Sequence, residues 1–120
     1  MKTHKDLDVW NKAMDFVVLL YKKTKDFPKD EIYSLTNQMR RAAVSIPSNI
    51  AEGASRQSNK EYIQFLYIAR SSAKELETQL IIANRLEYLS EEDFTNLNQD
   101  LVNIAKMLTG LINYRKKKLE

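Results

Sequence analysis

Apolar residues recur at three- and four-residue steps through nearly all of the chain, and that rhythm restricts it to helices. Four runs carry the pattern. Trp10, Ala13, Met14, Val17, Leu20, Tyr21 and Thr24 share one face in the first. Ile32, Leu35, Met39, Ala42, Ala43, Ile46 and Ile50 hold one face in the second. The third carries Tyr62, Phe65, Leu66, Ala69, Ala73, Leu76, Leu80, Ala83 and Leu86. The fourth carries Phe94, Leu97, Leu101, Ile104, Ala105, Leu108, Leu111 and Ile112. Two glycines and two prolines in 120 residues leave few breaks, so the helices are long. The expected class is all-α, a single domain over residues 1–120, with helices at about 8–26, 30–53, 58–89 and 90–117. Short connections make neighbours antiparallel, which gives an up-down-up-down four-helix bundle. Its longest helices, of about 28 residues, run roughly 42 Å.

The breaks have recognisable chemistry. Asp6 or Asp8 can cap the first helix, and Phe27-Pro28 ends it, because a residue before proline avoids the α region. Ser58 and Glu61 match the capping box, and Ser90 opens the fourth helix with Glu91, Glu92 and Asp93 in its first turn. Pro47 interrupts the second run. Either one helix is kinked there or a new helix begins at the proline, whose interior placement costs about 3 kcal/mol. The apolar face keeps its phase through Pro47, which favours the kinked continuous helix. Gly53 then fits a C-terminal cap, and Gly110 a close helix contact. Asn49 falls at the core-facing phase, where an unpartnered amide costs about 1–3 kcal/mol. It reads as a device fixing helix register, with a pocket at the kink as the alternative.

Catalytic chemistry finds few candidates. There is no cysteine, and the one histidine, His4, precedes the helices as a solvated residue. None of the apolar stripes contains an Asp or Glu, so an inward carboxylate metal site is not expected. No glycine-rich phosphate loop exists, and no cofactor is implied. The expectation is a protein that is not an enzyme, with no catalytic, cofactor or metal residues. No run approaches the ~20 apolar residues of a membrane span, and the expected location is the cytoplasm.

Surfaces are more informative. The net charge is +3, with four of nineteen basic residues in Arg115–Lys118. Arg40, Arg41, Arg56, Lys60, Arg70, Lys74, Arg115, Lys116, Lys117 and Lys118 are the candidate polyanion contacts. On the third helix, Ile63, Tyr67, Arg70, Lys74, Ile81 and Tyr88 form a second stripe about 100° from the core face. A second copy of the chain would cover Ile63, Tyr67, Ile81 and Tyr88. A nucleic acid would use the cations for phosphates and a tyrosine for stacking. Scattered exposed apolar residues are the third reading.

The stretch Arg41–Gly53, RAAVSIPSNIAEG, resembles the signature of the bacterial 23S rRNA intervening-sequence protein family, also called the S23 family. Leu7–Trp10, Glu61–Ser72 and Glu75–Leu80 resemble its other motifs, so the likeness covers nearly the whole chain. The resemblance implies a cytoplasmic up-down bundle that assembles into a homo-oligomer, typically a pentamer. It extends to the accessory variability determinant of diversity-generating retroelements, a strongly basic pentamer that binds nucleic acid and a protein. This chain is less basic than that pattern. Its expected partners are therefore a second copy, RNA or a ribonucleoprotein, with a protein scaffold free of nucleic acid as the alternative.

Overall fold

Four α-helices, α1 (Asp8–Thr24), α2 (Leu35–Ala54), α3 (Asn59–Arg85) and α4 (Glu91–Lys117), make up most of the computed structural model, which describes residues 2–119. Single 3-10 turns precede α1 (His4–Asp6) and α2 (Lys29–Glu31). Each helix packs against two neighbours, α1 on α2 and α4, α3 on α2 and α4. The result is an up-down-up-down bundle, an elongated body of 48 × 22 × 21 Å. Leu20, Met39, Ile46, Leu66, Leu76, Leu80, Leu101 and Leu108 are among the fully buried side chains on its axis. Each such side chain contributes about 1.5–3 kcal/mol through burial.

Two inter-helix contacts set the register of α2 against α3. Gly53 lies against Tyr62 and Phe65, and Ser72 donates to Ser45 Oγ at 2.8 Å. Paired positions thus run in opposite directions, as antiparallel helices require. Ser45 also receives Asn49, whose Nδ2 donates to the Ser45 carbonyl (2.8 Å) and hydroxyl (2.9 Å). Asn49 is half-buried at this seam rather than core-facing, and it reaches α3 only through Ser45.

Pro47 is buried inside an unbroken α2. The continuous reading holds in that sense. α2 begins later than the spacing suggests, and Ile32 stays exposed in the turn before it. Gly53 is not a cap. It is helical and buried, and a Cβ there would come within 2.9 Å of Phe65 Cβ and 3.1 Å of the Tyr62 carbonyl oxygen. The glycine is required by close helix approach. Gly110 shows the reverse, since a Cβ there would meet nothing within 4 Å.

The core face of α1 is Val9, Ala13, Phe16, Leu20 and Thr24. Trp10, Met14, Val17 and Tyr21 lie about 100° to one side. Met14 (40% exposed) and Tyr21 (41%) face outward, and Trp10 meets His4 edge to face at 5.1 Å. His4 is therefore packed rather than simply solvated. No side chain caps α1; Asp6 instead closes a capping box with Thr3 around the first 3-10 turn. Ser58 and Ser90 do cap α3 and α4, accepting from the backbone N–H of Glu61 and Asp93.

α3 ends at Arg85, so Leu86 leaves the core stripe and is exposed. Glu87 follows with φ 64°, and Tyr88 N–H reaches back to the Ala83 carbonyl at 2.9 Å. That is a Schellman closure with glutamate where glycine is favoured. Glu87→Gly is expected to raise stability by about 0.5–1 kcal/mol, read from urea midpoints.

Tyr88 donates to Glu31 Oε2 at 2.9 Å. That bond raises its pKa above 10.0, helped by burial and by the Glu31 and Asp30 charges. Burial likewise raises Tyr62, with Arg115 opposing. Both phenols are held neutral in the folded state, so their stabilisation is present below pH 10 and is lost as pH climbs through the raised folded values. Thermal melts between about pH 8 and 11 should show Tm falling above pH 10, and Tyr88→Phe should flatten the fall.

Candidate nucleic-acid interface

The up-down path brings the N-terminal segment, the α2–α3 connection and the end of α4 to one end of the bundle. Lys2, Lys5, Arg56, Lys60 and Arg115–Lys118 gather there, eight cations against four described carboxylates, Asp6, Asp8, Glu52 and Glu61. The other end carries Lys22, Lys23, Lys25, Lys29 and Arg85 against seven carboxylates, including Glu91–Asp93 in the first turn of α4. A nearly balanced body is thus polar along its length. Acids at the start of α4 and bases at its end also suit the helix dipole.

Aromatic rings lie beneath these cations. The Arg115 guanidinium sits 4.5 Å from the Tyr62 ring centre and 5.7 Å from Tyr114. Its Nη1 donates to Asn59 Oδ1 at 3.2 Å, tying α4 to α3. Lys118 lies 5.0 Å over Tyr114, Lys116 5.2 Å over Tyr67, and Arg56 4.7 Å over Phe65. A guanidinium stacked on a ring keeps its in-plane N–H groups available to phosphate oxygens. Stacking also reduces the side-chain freedom lost on binding. Arg56 is paired internally with Glu52 at 2.7 Å, and Arg115 is half-buried. Tyr114, half exposed, is the ring best placed to stack on a base.

The ten candidate cations fall into three groups. Arg56, Lys60 and Arg115–Lys118 share the basic end. Arg70 and Lys74 line a groove between α3 and α4, joined there by Lys106, which belonged to no sequence motif. Arg40 and Arg41 sit apart on α2. Arg40 is a clamp: it donates to Thr24 Oγ1 (3.0 Å) and the Tyr21 carbonyl (3.3 Å) and covers the Tyr21 ring. It neutralises the carbonyl end of α1.

The second stripe of α3 does not form one outward face. Ile63 is 5% exposed and belongs to the core, so it cannot serve as a contact for another subunit. Tyr67 is half-buried beneath Arg70 and Lys116, and Tyr88 is held by Glu31 and Phe27. Ile81 is exposed, beside Ile82. A larger apolar surface lies between α1 and α2, where Trp10, Met14, Val17, Val44, Pro47 and Ala51 line an open groove.

Among the described residues, no cluster of three His, Asp or Glu side chains could hold a metal ion, and no helix is long and apolar enough to cross a membrane. Fold and surface define a four-helix-bundle protein with one cation- and aromatic-rich end. The chain belongs to the family described as 23S rRNA-intervening sequence protein, whose profile matches residues 5–110. It is similar to a solved protein of unknown function from the S23 ribosomal protein family of Bacteroides thetaiotaomicron VPI-5482. Identity is 30%, the match covers 88% of this chain and 95% of the other, and the TM-score is 0.81. No curated protein matches it.

Proposed function

We propose that the protein is a non-enzymatic, cytoplasmic RNA-binding module that grips RNA, alone or in a ribonucleoprotein, through its basic end. The observation that carries this reading is the gathering of Lys60 and Arg115–Lys118 with Tyr114 on one end of the bundle. Cations supply phosphate contacts, and an exposed ring supplies base stacking. The test is fluorescence anisotropy with a labelled single-stranded RNA across a salt series. With about six phosphates contacted, log K should fall with log salt at a slope near −4. No binding at 50 mM salt, where the Debye length is about 14 Å, or binding that does not weaken along the salt series, would overturn the reading.

The same proposal includes self-association. The open apolar groove between α1 and α2 supports a ring of like protomers, the assembly that the sequence resemblance implies. Sedimentation equilibrium at micromolar concentration should give a mass several times that of the 14.0 kDa chain. A monomer sinks this part. The alternative, a protein scaffold without RNA, is favoured by the same groove and gains if RNA does not bind.

A further inference from the structure

The groove between α3 and α4 lies outside the basic end and differs from it in chemistry. It encloses ≈ 660 Å³, with Arg70 and Lys74 on one wall and Lys106 on the other. Its α4 side carries Val102 and Ala105, small and apolar, and Glu77 is the one carboxylate lining it. One turn beyond Lys106 stands Gly110, exposed in mid-helix with nothing of this chain near its Cβ position. Glycine there costs about 1 kcal/mol against alanine, and no internal contact accounts for it.

We propose that this groove docks an acidic amphipathic helix of a protein partner. Exposed Lys74 and Lys106, beside an Arg70 held on Thr109 Oγ1 at 3.2 Å, outweigh one carboxylate and call for negative charge, and Val102 and Ala105 call for an apolar stripe beside it. A helix supplies both on adjoining faces and can set a basic residue against Glu77. A nucleic-acid strand fits less well. Its phosphates repeat without interruption and would meet Glu77, and the nearest ring, Tyr67, is already covered by Arg70 and Lys116.

The test uses the full chain and a labelled helical peptide of about 18 residues, with glutamates along one edge and leucine and alanine on the adjoining face. Lys74→Glu combined with Lys106→Glu should weaken peptide binding at least about tenfold, and Lys→Arg at both positions should preserve it. Both lysines are exposed, and circular dichroism verifies that the variants fold. A peptide with lysines in place of the glutamates should recover affinity for the charge-reversed protein. The proposal is overturned if the charge-reversed protein binds the peptide unchanged. It is equally overturned if a scrambled peptide of the same composition binds as well. Loss of single-stranded RNA binding in the double variant, as large as the loss of peptide, would assign the groove to RNA instead.

Discussion

Gly53→Val lowers stability by about 3 kcal/mol and Tm by roughly 10 °C. Any Cβ at position 53 would lie 2.9 Å from Phe65 Cβ, 3.0 Å from Tyr62 Cδ1 and 3.1 Å from the Tyr62 carbonyl oxygen. Two of those atoms are fixed by the α3 backbone and cannot swing aside. Alanine tests the balance: it gains about 1 kcal/mol of helix propensity and incurs about 1–3 kcal/mol of overpacking, so a net loss near 1 kcal/mol is expected. Valine adds two methyl groups and recovers only a fraction of that gain, because its branched Cβ is stiff in a helix. Total stability for a domain of this size is about 6–15 kcal/mol, so the valine variant still folds at room temperature. Urea denaturation reads both changes. A stabilised Gly53→Ala would mean that α2 and α3 are farther apart than the structure shows.

The second large effect is on RNA affinity. Replacing Lys116, Lys117 and Lys118 together with glutamine should reduce the salt slope by about 2 and weaken single-stranded RNA binding about a hundredfold near 50 mM salt. All three are exposed, and the two that cover rings lie over them from the solvent side, so the fold should persist. The matching control neutralises Lys22, Lys23 and Lys25 at the opposite end. Because those lysines stand among carboxylates, affinity there should change little. Equal losses at both ends would show that charge alone, rather than the basic end, draws the RNA.

Helix number, order and most of the core were legible in the spacing. Met39, Ile46, Leu66, Leu76 and Leu101 are buried where periodicity placed them. The reading failed where two apolar faces adjoin. On α1, Ala13, Leu20 and Thr24 are buried as expected, but Trp10, Met14, Val17 and Tyr21 were placed beside them and Val9 and Phe16 were missed, because periodicity fixes spacing but not which of two adjoining stripes turns inward. Ile63 failed for the same reason. Both glycines were misassigned, since the space around a Cβ depends on the neighbouring helix and not on local sequence. The basic tail was visible as a charge run, but its rings Tyr62 and Tyr114 and its neighbours Lys2 and Lys5 became a group only through the return path of the chain. Lys106 carried no signal at all until α4 set it opposite Lys74.

The opposed charge of the two ends matters most once copies combine. Where the rods run along the axis of a cyclic assembly, rotation gives every one the same sense, so all the Arg115–Lys118 ends share one rim and all the Glu91–Asp93 ends the other. A chain of net charge +3 would then present a disc with a cationic side and an anionic side, its potential growing with each added copy. An antiparallel pair would cancel that polarity. Whether RNA meets a weak or a strong field would therefore be decided by the symmetry of assembly, with no residue changed.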